Sequence, residues 1–279
     1  MAEWKLSIAQ LNSLIHELID LGVTSFDHAD IYGDYSCESI FGQVLKRQPS
    51  LRNQVQIITK CGIKLTSQKF PNRKINYYDY SAEHILESVN TSLKNLHTDY
   101  IDLLLLHRPA PFFEPYEVSR AFDTLFKAGK VRYFGVSNFT RGDIELLAEA
   151  TSHRLIVNQI EASPLCLDNF DNGTINYMMK ENIIPMAWSP LGGGRLFDLS
   201  DEQASRLSII LNDIKNEMNL SSVEEVVYAW LLAHPSNILP VVGSKRVDRI
   251  RLALNALKQP LSLENWYRIY TASKGHDVP

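Results

Sequence analysis

The chain has 279 residues, of which 45% are hydrophobic and 22% charged, so it can build a sizeable core. Its formal net charge of -4 at pH 7 disfavours a nucleic-acid-binding protein, because such proteins present a strongly basic face. There is no apolar run of about eighteen residues and no signal peptide, so we expect no membrane span and a cytoplasmic location. The three cysteines (Cys37, Cys61 and Cys166) show no metal-ligand spacing, which favours reduced thiols and no bound metal.

Short apolar runs alternate with helical patterns along almost the whole chain, which is typical of parallel βαβ units. The run YIDLLLLH is the clearest strand, because a strand that is covered on both faces is apolar throughout. We predict strands at residues 24–29, 55–61, 100–107, 133–137, 155–161, 184–188 and 239–243. The fold class is therefore α/β, and the repeated units favour a (β/α)8 TIM-type barrel.

The predicted helices begin at capping residues. Ser7 with Gln10 and Ser222 with Glu225 have the spacing of a capping box. Further helix starts are predicted at Ser81, Thr140 and Ser262, and residues 201–219 are expected to form an inserted helix. No linker rich in glycine, serine or proline divides the chain, so we predict one domain over residues 1–279.

The strand count is one short of a closed barrel. Such a barrel needs eight strands, but only seven are readable and the first element is a helix. Residues 1–6 (MAEWKL) are too few and too poorly patterned for a central strand. We expect a barrel that is open here, another element in this place, or a native chain with more residues upstream.

Four polar residues lie at or just after predicted strand ends: Asp27, Tyr32, Lys60 and His107. In an α/β barrel the carboxyl ends of the strands carry the catalytic groups. Reduction of a carbonyl by hydride leaves an alkoxide that needs a proton, which a phenol can donate. A neighbouring ammonium stabilises phenolate, a carboxylate keeps that ammonium charged, and a neutral imidazole orients the carbonyl oxygen. These residue types predict Tyr32 as the general acid, with Lys60, Asp27 and His107 in the three supporting roles.

Two other interpretations of these residues stay open. Each residue alone fits a local structural role, as we also expect for His28 and Asp30. Lys60 could instead form a Schiff base with a carbonyl substrate, as barrel aldolases do. That lysine would need neither Tyr32 nor Asp27 beside it.

Seven motifs in order resemble the aldo-keto reductase superfamily, with GVTSFDHADIYGDYSCESIFG similar to its first signature. The others are IITKCG, LLLLHRP, GVSNF, VNQIE, MAWSPLGGGR and LPVVGSKRVDRI. The resemblance covers roughly Ser7 to Ala256 and is greatest to bacterial members. It implies a barrel that binds NADP(H) in extended form, and a catalytic tetrad of Asp27, Tyr32, Lys60 and His107. A small-molecule carbonyl substrate and a monomer or weak oligomer are the implied partners.

The resemblance also implies a set of cofactor-binding residues. They are Ser137, Asn138 and Gln159 at the nicotinamide carboxamide, Trp188 stacked on the ring, Ser189, Leu191, Gly193 and Arg195 over the pyrophosphate, and Gly243, Ser244, Lys245 and Arg249 around the adenosine 2′-phosphate. Each set has a plainer alternative: Ser137 and Asn138 as a helix cap, Trp188 as a core aromatic, and the basic residues as a solvated turn. Cations at a predicted helix start are electrostatically unfavourable unless an anion binds there, which favours NADP(H) over NAD(H).

This sequence departs from the family pattern in two places. The family's first barrel strand and its N-terminal hairpin are not readable, which allows an alternative function as an NADP(H)-binding regulatory or interaction protein with weak turnover. Leu252 and Ala253 stand where many members have Glu-Asn against adenine. Residues 61–80 and 108–116 are aromatic loops that suit an apolar or aromatic carbonyl substrate, although they could simply pack down.

Overall fold

The protein is described by a computed structural model over residues 4–279. Its residues cluster into two compact units, one that ends at Asn158 and one that runs from Gln159 to Pro279. The described strands are Ser25–Asp27, Gln56–Cys61, Ile63–Lys64, Tyr77–Tyr78, Ile101–Leu106, Val131–Ser137, Leu155–Glu161, Ile184–Trp188 and Leu239–Pro240. All seven predicted strands are present, and the first and last are shortened most, to three and two residues. The prediction of one domain over residues 1–279 stays a prediction.

Helices connect the strands, as the alternating pattern predicts. Those of eight or more residues are Ile8–Asp20, Cys37–Arg47, Ala82–Leu96, Pro115–Lys127, Arg141–Ala150, Thr174–Glu181, Glu202–Glu217, Val223–Leu232, Val247–Ala256 and Leu263–Lys274. Short helical segments occupy Tyr32–Tyr35, Asp168–Asp171, Pro49–Gln54 and Gly192–Phe197. No helix within residues 4–279 is long and apolar enough to cross a membrane.

Helix starts follow the sequence closely, with one correction. Ser7 and Gln10 close the predicted capping box, and Asp201 caps the inserted helix. Ser222 accepts from the backbone N–H of Glu225, but the Glu225 carboxylate does not return to Ser222. It accepts from the backbone and hydroxyl of Ser221, at 2.8 and 2.9 Å, so the predicted reciprocal box is wrong by one residue.

The first unit contains parallel strands that pair in chain order. Ser25–Asp27 pairs with Gln56–Cys61, which pairs with Ile101–Leu106, which in turn pairs with Val131–Ser137. Every residue of Ile101–Leu106 is buried, as expected for the run YIDLLLLH. Because parallel strands end at the same edge, this pairing brings the carboxyl ends of three predicted site strands together.

A polar cluster fixes these strands at their opposite, amino ends. Asp102 accepts from Arg52 at 2.6 Å and from the backbone N–H of Ile57 at 2.8 Å, and so links two neighbouring strands. The Arg52 guanidinium lies 3.8 Å from the centre of the Tyr100 ring, and Arg132 lies 3.7 Å from it. These contacts hold the strand register that positions the carboxyl ends.

In the second unit, Ile184–Trp188 pairs in parallel with Leu239–Pro240. Two indole rings join the helices Val223–Leu232 and Leu263–Lys274. Trp230 and Trp266 stack with their ring centres 5.0 Å apart, and each N–H donates to the other residue's backbone carbonyl at 3.1 Å. This reciprocal pair satisfies both buried donors and attaches the C-terminal helix to its own unit.

The prediction that the first barrel strand is absent stays a prediction. Residues 4–6 are described and form no strand, whereas residues 1–3 lie outside the described part of the chain.

Candidate active site

The strand pairing brings the four predicted polar residues together in the first unit. Asp27 ends its strand, Lys60 is the last residue but one of the next, and His107 directly follows the third. The register pairs Asp27 with Ile58 and Lys60 with Leu105, so neighbouring strands deliver these side chains to one edge. Tyr32 follows in the turn beyond Asp27, where its N–H donates to the Ala29 carbonyl at 3.1 Å.

The ammonium of Lys60 is the centre of this arrangement. Its Nζ donates to Asp27 Oδ2 at 2.7 Å, to the His28 carbonyl at 2.9 Å and to Tyr32 Oη at 3.1 Å. The Lys60 side chain is 0% exposed, so it depends on these three acceptors in place of water. Three donors meet three acceptors, which is the full capacity of a charged lysine. This geometry disfavours a Schiff-base lysine, which must present a free lone pair.

His107 lies next to the phenol of Tyr32. The two ring centres are 5.7 Å apart in an edge-to-face arrangement. Burial, reinforced by the positive charges of Lys60 and Arg108, lowers the pKa of His107 to about 3. Its Nδ1 is buried and has no hydrogen-bond partner among residues 4–279. The imidazole is therefore neutral at physiological pH, as required for a group that hydrogen-bonds a carbonyl oxygen.

A second polar layer lies behind the strand of Lys60. Asp30 donates its backbone N–H to the Lys60 carbonyl at 3.0 Å, and its Oδ2 accepts from Ser88 at 2.7 Å. Its Oδ1 is buried and has no partner within the described chain. Burial, with the nearby Glu38 carboxyl, raises the pKa of Asp30 to about 7. Asp30 thus has local partners, as expected from the sequence, but its ionisation was not expected.

Glu38 is the member of this layer that sequence reasoning missed. It is 2% exposed, accepts from the Thr59 hydroxyl at 2.7 Å, and has its pKa raised by burial. The signal was its place in the helix Cys37–Arg47, between the buried Cys37 and Phe41 on the face that packs inward. A lone glutamate on an apolar helix face indicates a buried carboxyl.

Asp30 should make stability pH-dependent. In the folded chain it keeps its proton up to about pH 7, whereas an unfolded aspartate loses it near about pH 4. Its stabilising contribution is complete below about pH 4 and is lost as the pH rises to about 7. We expect the unfolding free energy of Asp30→Asn, relative to wild type, to rise over this range by at most about 1.4 kcal/mol per pH unit.

Urea unfolding at pH 5, 6, 7 and 8 measures this difference, with the exposed Asp20→Asn as the matched control. A difference between Asp30→Asn and wild type that does not vary with pH would contradict the prediction.

Ser137 is the last residue of the strand Val131–Ser137, and Asn138 follows it. Ser137 is 1% exposed, and Asn138 donates from Nδ2 to the Ser137 hydroxyl at 2.8 Å. The following helix is capped by Thr140, which closes a capping box with Asp143. Ser137 and Asn138 are thus not the helix cap, and this alternative to a binding role is wrong.

The second unit contains the remaining residues that were predicted to bind a cofactor. Gln159 is 2% exposed, and Trp188 ends a strand and is half-buried. The segment that includes Ser189 and Leu191 leads into a backbone turn in which Gly192, Gly193 and Gly194 all have positive φ angles, of 60°, 63° and 100°. Arg195 directly follows this turn and pairs with Asp201 at 3.0 Å.

The helix Val247–Ala256 begins with a basic segment. The side chain of its N-cap residue, Arg246, makes no capping hydrogen bond, and Gly243 and Ser244 precede it. Lys245 and Arg249 are exposed, and Arg246 forms an ion pair with Asp248. A helix start with exposed cations fits a phosphate group. Ala253, at the place of the family's adenine contact, packs against Tyr228, Ala229 and Ala256.

The aromatic loops are in part structural. Tyr80 is 4% exposed; its hydroxyl donates to the Arg108 carbonyl and accepts from the Arg108 N–H at 3.0 Å. Phe113 packs against the Tyr80 ring at 5.6 Å. Tyr77 and Tyr78 are exposed on a short antiparallel hairpin, and Phe112 is 95% exposed. Tyr80 therefore attaches one loop to the other.

A phenol, an ammonium, a carboxylate and a neutral imidazole lie together at the strand ends of an α/β fold, the end at which barrel enzymes carry their catalytic groups. The aldo/keto reductase family model matches residues 2–274, and the chain belongs to this family. It is 47% identical over 277 residues to "Uncharacterized oxidoreductase YcsN" of Bacillus subtilis, across 99% of this chain and 92% of the relative. It is 42% identical over 272 residues to "6-dehydroglucose reductase" of Agrobacterium fabrum, across 98% and 90% respectively.

A solved structure gives the same result for the fold. The thermostable aldo-keto reductase Tm1743, in complex with the inhibitor epalrestat, matches with a TM-score of 0.79 and 26% identity, over 95% of this chain and 88% of that one. The predicted barrel class of the aldo-keto reductases is thereby confirmed. The protein is an oxidoreductase of a family that uses nicotinamide cofactors and small carbonyl substrates.

Proposed function

We propose that this protein reduces an aldehyde or ketone to an alcohol, with NADPH as the hydride donor and Tyr32 as the proton donor. The observation that carries the proposal is the Lys60 ammonium, which is fully buried and bonded to both Tyr32 Oη and Asp27 Oδ2. A charged lysine is expensive to bury, and its contact with a phenol matches the need to stabilise a phenolate.

Each residue then has a defined task. The neutral imidazole of His107 donates a hydrogen bond to the substrate oxygen and so polarises the carbonyl. A nicotinamide held at this site would supply the hydride. Tyr32 transfers its hydroxyl proton to the alkoxide oxygen that forms, and Lys60 stabilises the phenolate that remains. Asp27 keeps Lys60 charged and in place.

We propose NADP(H) rather than NAD(H) as the cofactor, with Lys245 and Arg249 at its 2′-phosphate. The exposed cations at the N-terminus of Val247–Ala256 support this choice. The remaining cofactor contacts are proposed to be Ser137, Asn138, Gln159, Trp188, Ser189, Leu191, Gly193, Arg195, Gly243 and Ser244. The left-handed glycines before Arg195 suit a backbone that approaches a pyrophosphate closely.

The substrate class is a choice between two chemistries. A relative at 42% identity is named a 6-dehydroglucose reductase, which supports a polar sugar aldehyde. The exposed Tyr77, Tyr78 and Phe112 support an apolar or aromatic carbonyl compound. Both classes contain the reducible carbonyl that the tetrad requires.

The test is stopped-flow oxidation of bound NADPH, or NADH, by a carbonyl panel that includes 6-dehydro-D-glucose and 4-nitrobenzaldehyde. We expect rapid oxidation of NADPH by at least one compound, and weaker binding of NADH. Tight NADPH binding without oxidation by any member of the panel would overturn the proposal and favour the regulatory alternative. Borohydride trapping of a substrate adduct at Lys60 would instead favour the aldolase.

A further inference from the structure

The turn that carries Tyr32 has an unusual backbone. Three consecutive residues lie in the left-handed region: Gly33 with φ 60°, Asp34 with φ 52° and Tyr35 with φ 57°. Glycine adopts this conformation freely, but a residue with a side chain does so at a cost, and a bulky tyrosine is a clear outlier. Such strain persists only where the surrounding structure over-determines the backbone. The Tyr32 turn therefore needs an external support.

That support comes from the hairpin loop, residues 62–80. The Lys69 ammonium donates to the carbonyl oxygen of Asp34 and, at 3.3 Å, to that of Tyr35. Both acceptors belong to the two strained residues with side chains. A cation bonded to two successive carbonyl groups favours the one backbone geometry that points both oxygens toward it.

The Tyr35 side chain forms the second connection. Its hydroxyl accepts from Arg73 Nη1 at 2.8 Å and from the Leu65 backbone N–H at 2.9 Å. Its ring packs edge-to-face on Phe70, with centres 4.9 Å apart, and the Arg73 guanidinium lies 3.7 Å from the Phe70 ring centre. Arg73 also donates to the Leu65 carbonyl at 3.2 Å, so it joins the turn to the loop's own backbone.

The hairpin loop is itself firmly attached. It leaves the strand of Lys60 at Gly62, whose φ is 106° and where a Cβ would lie 2.0 Å from the Tyr80 ring. Ile63–Lys64 pairs with Tyr77–Tyr78, and Lys64 forms an ion pair with Asp79 at 2.5 Å. The loop therefore extends from the strand that holds the ammonium to the turn that holds the phenol.

We propose that Lys69 and Arg73 are positioning residues that hold the left-handed turn Gly33–Tyr35 and so keep the Tyr32 hydroxyl in contact with Lys60. This inference rests on the proposed role of Tyr32 as proton donor. Neither residue contacts the reacting atoms; they act through the backbone that carries Tyr32. Loss of either contact lets the turn relax, and the phenol then spends less time at the ammonium.

The first test is Lys69→Ala, with Lys74→Ala as the matched control. Both lysines are exposed residues of the same loop, but the Lys74 ammonium bonds to none of the described carbonyls of the turn. We expect Lys69→Ala to lower kcat about tenfold, as for loss of a charged hydrogen bond, with the NADPH Kd within about twofold of wild type. Lys74→Ala should match wild type. A kcat of Lys69→Ala within about twofold of wild type would overturn the proposal.

A rescue variant separates positioning from a merely structural role. Asp34→Gly removes the cost of a positive φ, so the turn needs the support of Lys69 less. We expect kcat of the double variant Lys69→Ala/Asp34→Gly to recover to within about threefold of wild type. If Lys69 only stabilises the loop, the added glycine increases disorder and kcat falls further, which contradicts the proposal. Tyr35→Phe, which loses the bonds to Arg73 and Leu65, should also lower kcat.

A structural measurement that does not depend on turnover tests this inference separately from the proposed function. Crystal structures of wild type and Lys69→Ala report the φ angles of residues 33–35 directly. We expect Asp34 or Tyr35 to leave the left-handed region in the variant, and unchanged angles would overturn the inference. Absence of NADPH oxidation by wild type would overturn the proposed function instead.

Discussion

Replacing Tyr32 with phenylalanine is expected to lower kcat by about 10²- to 10⁴-fold, the range that general acid catalysis contributes. The alkoxide that hydride transfer creates would have no phenol to protonate it. The ring would still pack beside His107, since only the hydroxyl that contacts Lys60 is removed. The NADPH Kd should stay within about twofold of wild type, because the change removes a group used only in the chemical step. Steady-state kinetics and fluorescence titration measure the two quantities.

The matched control for this change is Tyr133→Phe, an exposed tyrosine near the amino end of the strand Val131–Ser137. It should leave kcat and NADPH affinity close to those of wild type. If Tyr32→Phe kept most of its activity on a good substrate, the proton would have to come from another group and the mechanism would be wrong.

The second large effect is expected for Asp27→Asn. This change leaves the 0% exposed ammonium of Lys60 with the His28 carbonyl and the Tyr32 hydroxyl but without a carboxylate. Breaking one side of a buried ion pair costs about 3 kcal/mol or more, because an uncompensated charge stays in the interior. We expect a loss of unfolding free energy of this order, together with a lower kcat. Urea unfolding at pH 7 gives the first value.

The double variant Asp27→Asn/Lys60→Met tests whether the uncompensated charge of Lys60 causes this loss of stability. With no charge left to bury, it should be more stable than Asp27→Asn alone, although it stays inactive because the phenolate has no ammonium beside it. If the two changes simply added their losses of stability, the argument from an uncompensated buried charge would fail.

That the four polar residues of the candidate site lie close together could be predicted, because three of them lie at strand ends. Asp27, Lys60 and His107 each end an apolar run, and parallel strands bring such ends together whatever the rest of the fold does. The neutral state of His107 needed the structure, since it results from burial and from the charges of Lys60 and Arg108. Arg108 is adjacent in the chain, but the burial of His107 and its proximity to Lys60 cannot be inferred from chain neighbours.

Other features depend on contacts between residues distant in sequence. The place of Glu38 on an apolar helix face indicates burial, but its partner Thr59, 21 positions away, is identified only when the helix packs on the strand. The raised pKa of Asp30 also depends on tertiary packing, because it results from burial and from the nearby Glu38 carboxyl. Glu225 turned to Ser221 rather than Ser222, a difference of one residue that capping patterns do not resolve.

The strands, the helix starts, the family and the four polar residues of the candidate site could be inferred from the amino-acid sequence, because these follow from local periodicity and residue type. How Tyr32 is held is visible only in the folded chain. One glycine in GDYS indicates a turn, but nothing local predicts that Asp34 and Tyr35 would share its left-handed conformation. That conformation is supported by Lys69 and Arg73, more than thirty positions further along the chain. The local sequence determines which backbone conformations each residue favours. A strained conformation occurs only where contacts with distant residues outweigh those local conformational preferences.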